Sequence, residues 1–142
     1  MNGYVEHINI QLKKPEQTIH FLLTALPKWE VRGEGKLDDW FGKPIHWYHI
    51  GEQHSYIAIS SGGVGKVPDW KGDQSGFKHL GIVVESVDST VARLKNAGYE
   101  LDHWGGDHPY RRSVYFLDDN NLEIEFIEYL TDDLARRNDY SQ

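Results

Sequence analysis

Two histidines and one glutamate in this chain sit in similar apolar settings. His7 lies in Val5-Glu6-His7-Ile8-Asn9-Ile10, His79 in Phe77-Lys78-His79-Leu80-Gly81-Ile82, and Glu125 in Leu122-Glu123-Ile124-Glu125-Phe126. Each reads as the polar member of an apolar-flanked strand. Two imidazoles and one carboxylate suffice to hold a divalent metal on one face and leave its other positions open. Taken singly, either histidine also reads as a hydrogen-bonded strand residue, and Glu125 as a solvated edge residue. Ile124 and Phe126 face a core by alternation, so Glu125 points to the other side, where a carboxylate is costly without a cation. Glu123 shares that face and is a rival ligand, although Glu123 and Glu128 read as solvated.

The elements that would position these groups occur twice. Residues 4–12 alternate, with Ile8, Ile10 and Leu12 on one face and Val5, His7, Asn9 and Gln11 on the other. Pro15 suits the first turn of a helix carrying Ile19, Leu22, Leu23 and Leu26, which Pro27 stops. Strands are expected at 28–33, 45–50 and 54–60. Residues 77–85 alternate again, with Leu80, Ile82 and Val84 opposite His79, Gly81 and Val83. Ser86 or Asp88 caps a helix with Val87, Val91 and Leu94 that Gly98 ends. Strands follow at 99–104, 111–117 and 122–129.

His7 and His79 are 72 residues apart, and Ile57-Ala58-Ile59 aligns with Ile124-Glu125-Phe126 at an offset of 67. At that offset Tyr48 falls against Tyr115. The expected organisation is one α+β domain over residues 1–142 built from two βαβββ modules around a cleft. Module one spans 4–60, a Gly/Pro-containing connector 61–76, module two 77–129, and a C-terminal tail or helix 130–142. His46 would share the cleft face of Tyr48 and serve as an acid/base group near neutral pH, or simply as a hydrogen-bonded wall. Trp40 and Phe41 fall in an expected loop from Gly33 to Pro44, read as a lid, a dimer contact or core. His103, His108, Trp104, Tyr110, Arg111 and Arg112 gather near the loop 104–112, which suits an anionic or aromatic ligand.

Bulk composition narrows the classes. The chain has 142 residues, 22 acidic and 15 basic, a formal charge of −7, and no cysteine. Without cysteine there is no disulfide, thiolate metal site or thiol nucleophile. An acidic chain with scattered Lys and Arg is not expected to bind nucleic acid. No apolar run approaches the roughly 20 residues of a membrane span. The first residues show no basic-then-apolar signal. A cytoplasmic location is therefore the expectation. No glycine-rich phosphate loop opens a helix.

The doubled pattern resembles the vicinal oxygen chelate superfamily, which includes glyoxalase I, extradiol dioxygenases, fosfomycin-resistance transferases and bleomycin-resistance proteins. The resemblance covers about residues 4–129. Its most specific part is module two: Phe77 to Val84 resembles the first strand, Val87 to Gly98 the helix, and Tyr115 to Phe126 the closing hairpin. That hairpin carries Asp118-Asp119-Asn120-Asn121 where the family usually has Asp-Pro-Asp-Gly, and Asn and Asp tolerate the turn geometry.

The resemblance implies metal-ligand positions at His7, Ala58, His79 and Glu125. Ala58 cannot ligate, which leaves the His, His, Glu set of extradiol dioxygenases and fosfomycin enzymes rather than the four ligands usual in glyoxalase I. It further implies an active-site tyrosine at Tyr115, one divalent ion (Fe, Mn, Ni or Zn), a small-molecule substrate held through adjacent oxygens, and a homodimer. The implied activity is a metal-dependent lyase, isomerase or dioxygenase. The alternative is metal-free sequestration of a small molecule, as in bleomycin-resistance proteins. Gly105 and Pro109 stand near where the fosfomycin enzymes carry lysine and serine, so phosphonate binding is not expected, although Ser113 matches a substrate-side serine. The connector around Val64 and Gly65 lacks the additional histidine of the dioxygenases.

Overall fold

The computed structural model describes residues 2–141. The chain folds as two compact units, one ending at Val67 and one beginning at Pro68. Each is a four-stranded mixed sheet with one main helix, and the two share a topology.

Unit one contains β1 (His7–Gln11), α1 (Pro15–Ala25), β2 (Glu30–Trp40), β3 (Lys43–Gly51) and β4 (Tyr56–Ser60). Its strand order is β1-β4-β3-β2, with β1 parallel to β4 and the rest antiparallel. Pro15 opens α1, where its missing N–H costs nothing. The helix buries Thr18, Phe21, Leu22 and Ala25. Leu23 is less buried than expected, because Phe21 holds the core-facing phase.

The expected loop from Gly33 to Pro44 is instead a β-hairpin. β2 and β3 run antiparallel up to the Trp40–Lys43 pair. Phe41 and Gly42 turn the chain with φ of 50° and 91°. Positive φ at both central residues matches the right-handed twist of the flanking strands. Phe41 is exposed at the tip. Gly35 is required within β2, since a Cβ there would lie 2.8 Å from the Trp47 ring.

Unit two contains β5 (Leu80–Val83), α2 (Val87–Asn96), β6 (Leu101–Trp104), β7 (Arg111–Leu117), β8 (Glu123–Tyr129) and the short α3 (Leu134–Arg137). Its order, β5-β8-β7-β6, repeats that of unit one. Ser86 caps α2 by accepting from the Ser89 N–H at 3.1 Å. Gly98 follows the helix at φ 93°. Val87, Leu94, Val114, Phe116, Leu122, Ile124 and Phe126 are fully buried. Phe116 and Phe126 meet edge to face at 6.3 Å. The β7–β8 turn holds because the Asp118 carboxylate accepts from the Asn120 and Leu122 N–H groups, and Asn121 takes φ 63°.

Ladder register ties the modules together. Asn9 lies opposite Ala58 in unit one, and Gly81 opposite Glu125 in unit two. His7 and His79 each stand two residues before those positions, which fixes the offset of 72 on the first strands. The third strands differ from expectation. His49 is the partner of Ala58 and Tyr115 the partner of Glu125. His49, not Tyr48, is therefore equivalent to Tyr115. The β3–β4 connection is one residue shorter than the β7–β8 connection, and a one-residue slip moves a side chain to the other face.

Candidate metal centre and cleft

Each candidate ligand lies in, or directly before, a first or last strand of its module. His79 immediately precedes β5 and Glu125 lies mid-β8, on adjacent parallel strands. Their reactive atoms, His79 Nε2 and Glu125 Oε1, are 3.4 Å apart. Two donors each about 2.1 Å from one ion span such a distance, so the pair fits a divalent cation. Gly81 is the ladder partner of Glu125, and a Cβ there would press on Ile127 Cδ1 at 3.2 Å while meeting Glu125 Oε1 at an ordinary 3.6 Å. The Glu125 side chain is 17% exposed, so the carboxylate sits in the wall of the sheet rather than in bulk water.

His7, at the start of β1, is half-exposed. Its Nδ1 is 2.9 Å from Glu6 Oε1, and its ring stacks on Tyr56 at 4.7 Å. A carboxylate on one ring nitrogen is the usual way to orient an imidazole whose other nitrogen serves as a ligand.

Tyr115 lies directly across the ladder from Glu125. Burial pushes its hydroxyl up to about 12, and the hydrogen bond to Glu125 and that carboxylate's charge push the same way. Tyr115 is thus a protonated donor across the neutral range. The His79 ring meets it edge-on at 5.3 Å, and the His103 ring stacks flat on it at 4.2 Å.

His46 stands apart from this arrangement. Its ring stacks on Tyr48 at 4.2 Å and hydrogen-bonds the Tyr48 hydroxyl at 3.0 Å, while Nε2 is 3.5 Å from Glu34. By alternation His46 and Tyr48 occupy the sheet face of Ile57 and Ile59, opposite to that of Ala58. Burial first, then the charges of Glu34 and Glu16, push the Tyr48 hydroxyl up. The cleft placement expected for His46 rested on the Tyr48–Tyr115 alignment, which the register replaces with His49.

Module two carries a cleft of about 370 Å³ beside Glu125, lined among others by Tyr115, Ser113, Arg111, His108 and Tyr129. Gly105 belongs to its wall for a steric reason. Ser113 Oγ occupies the space that a Cβ at residue 105 would take. On the Ala58 face, module one holds a smaller pocket of about 190 Å³, lined by Trp40, Trp47, Leu37, Ile45 and Asn9 among others.

Glu123 overturns its expected place as a solvated edge residue. It is 1% exposed, and neither carboxylate oxygen has a hydrogen-bond partner among the described residues. Desolvation pushes its carboxyl up to about 7; Asp102 and Asp69 add to the rise, against the opposing effects of His103 and Lys71. Trp70, from the stretch read as connector, stacks on His103 at 5.2 Å. The exposed-edge reading failed because the charged groups around Glu123, namely His103, Asp102, Lys71 and Asp69, come from stretches remote in sequence.

Residues 4–126 match the model of the glyoxalase/bleomycin resistance protein/dioxygenase superfamily. The chain belongs to that superfamily. Solved structures agree on the fold. A glyoxalase family protein from Bacillus cereus is 17% identical, with a TM-score of 0.72 over 92% of this chain and 97% of that one. A glyoxalase family protein from Enterococcus faecalis is 20% identical, with a TM-score of 0.71 over 88% and 97%. The fosfomycin resistance protein FosX from Listeria monocytogenes, solved with Mn(II) and sulfate, is 22% identical, with a TM-score of 0.63 over 96% and 98%. No curated protein sequence matches the chain. No helix among the described residues is long and apolar enough to cross a membrane.

Proposed function

We propose that this superfamily member is a divalent-metal-dependent enzyme acting on a small, oxygen-rich molecule, with His7, His79 and Glu125 as ligands and Tyr115 as the substrate-facing donor. The observation that carries the reading is the His79–Glu125 approach of 3.4 Å with Tyr115 directly across from Glu125. The Mn(II) bound by the FosX relative supports it. A bound divalent ion supplies Lewis-acid polarisation of adjacent substrate oxygens, whether the chemistry is proton transfer, addition or, with Fe(II), oxygenation. Tyr115 donates a hydrogen bond to an oxygen that gains negative charge. Arg111 and Ser113 line the same cleft and would orient an anionic portion of the substrate. His7 comes from the other module, so its participation is tested separately.

Metal content of the purified protein is the direct test. His79→Ala and His7→Ala are each expected to lose one equivalent of a first-row divalent ion relative to the wild type. A metal content in His79→Ala unchanged from the wild type would sink the assignment. A second reading, metal-free sequestration of a planar molecule, is favoured by the Trp40 and Trp47 walls of the module-one pocket. It requires stoichiometric ligand binding that survives chelation and is lost in Trp47→Ala. A homodimer is also proposed from the family resemblance, and light scattering measures it.

A further inference from the structure

We propose that Asp102, His103 and Glu123 form a second divalent-cation site, separate from the His79–Glu125 pair and built wholly within module two. One ligating atom from each of the three lies within 4.8 Å of the other two. Proximity of acidic groups alone would mean little on a surface. Here the floor of the group is Glu123, almost fully buried, with both oxygens lacking a hydrogen-bond partner among the described residues. A buried carboxylate in that condition is costly, and a cation coordinated by it removes the cost.

The backbone is arranged to bring the other two donors to it. Asp102 and His103 are consecutive in β6, and consecutive strand residues ordinarily point to opposite faces. The β6–β7 ladder pairs Leu101 with Phe116 and His103 with Tyr115, so two steps on β6 meet one step on β7. Such a bulge re-aims side chains, and it puts both neighbours within reach of Glu123. Asp102 Oδ2 and His103 Nδ1 are 2.7 Å apart, which holds the two side chains together. Their side chains are 22% and 38% exposed, so they form an open mouth above a closed floor, a path by which an ion can enter. Trp70 and Tyr115 flank the His103 ring on either hand, at 5.2 and 4.2 Å, and hold it in place.

The Lys71 charge that Glu123 feels does not do the work instead. The Lys71 ammonium rests over the Trp70 ring at 5.5 Å, and no ion pair joins it to Glu123 among the described residues. Two carboxylates match the charge of a divalent ion. One imidazole among oxygen donors selects Mn(II), Fe(II) or Zn(II) over Ca(II) and Mg(II).

The site goes beyond the proposed function, and its test separates the two. The full chain carrying His79→Ala and Glu125→Ala lacks the proposed catalytic pair. That variant is titrated with Mn2+ and with Zn2+ by calorimetry, and bound metal is counted after dialysis. One equivalent of at least one ion is expected. Adding Glu123→Gln, which keeps the shape of the side chain and removes the buried charge, is expected to abolish it. Adding Asp102→Asn instead, at the exposed mouth, is expected to weaken binding on the order of 10–100-fold. Circular dichroism checks that each variant is folded, and Asp102→Asn decides the matter should Glu123→Gln unfold. The proposal is overturned if the double variant binds neither ion, or if binding is unchanged by the added substitutions. A wild-type protein holding one ion that survives His79→Ala but not Glu123→Gln would sink the proposed function and leave this site standing.

Discussion

The two modules share a topology and differ in what they place on equivalent ladder positions. In module two the first, third and last strands bring Gly81, Tyr115 and Glu125 into register; in module one the same positions hold Asn9, His49 and Ala58. The glycine and carboxylate of one half become an amide and a methyl in the other. Module one fills its face with stacked rings instead: His7 on Tyr56, Tyr56 on His49, and Arg32 over Tyr56 at 4.5 Å. His49 is accordingly less basic than a free imidazole, through desolvation first and then the neighbouring His7 and Arg32. A duplicated scaffold leaves strand order untouched while one half keeps ionisable chemistry and the other becomes an aromatic wall.

The sharpest way to break that contrast is through the metal. Glu125→Ala is expected to weaken divalent-metal binding by about 100-fold or more, as loss of a first ligand exceeds the 10–100-fold typical of its supporting partners. Ala58→Ser, at the matching position, is expected to leave affinity unchanged. Calorimetric titration of both variants reads the difference; equal losses would erase the asymmetry.

Packing gives the next effect. Phe126 and Ile59 are equivalent, and both are at most 1% exposed. Phe126→Ala is expected to cost about 3–5 kcal/mol and Ile59→Ala about 2–5 kcal/mol, read by denaturant unfolding. A change below about 1 kcal/mol at Phe126 would mean that the Phe116–Phe126 contact is not the centre of its module.

Glu123 gives module two a pH signature of its own. Its carboxyl is held at about 7 in the folded chain against an ordinary 4.5. Between those values the folded chain keeps a proton that the unfolded chain has lost. Stability of the metal-free protein therefore falls as pH rises through this window, by on the order of 3 kcal/mol in all. Glu123→Gln is expected to flatten this part of the pH–stability curve; an unchanged slope would place its origin elsewhere.

The smallest contrast is at the helix starts. α2 has a side-chain cap from Ser86, whereas α1 begins at Pro15 with no side-chain cap from Lys14. Ser86→Ala is expected to cost about 1 kcal/mol in thermal unfolding. No measurable change would show that α2 is held by its packing alone.

The sequence makes the doubled organisation legible because strand alternation and helix punctuation recur around His7 and His79. The Ser86 cap, the Gly98 stop and the Asn121 turn follow from local chemistry, and the local pattern is enough to find them. The β2–β3 hairpin is hidden because its glycines and paired aspartates read as loop, and only the Trp47 ring explains why Gly35 carries no side chain. The face of His46 depended on a turn one residue shorter than its counterpart, a difference that alternation alone cannot register. The surroundings of Glu123 come from residues remote in sequence, among them Asp102 and His103 of an irregularly paired edge strand. Candidate ligands could be picked from residue type and flanking pattern, but the environment of each one could not.

That irregularity in β6 has a consequence for how such a protein can change. The supernumerary residue stands at the rim of a sheet, with its side chain only partly buried. Removing a single codon at Asp102 would let the edge strand zip up evenly against β7, leaving His103 in place and Glu123 without its companion carboxylate. The reverse event, a one-codon insertion, would supply that companion in a relative with an evenly paired rim. An ion-holding function could thus be gained or lost along a lineage by indels at the periphery.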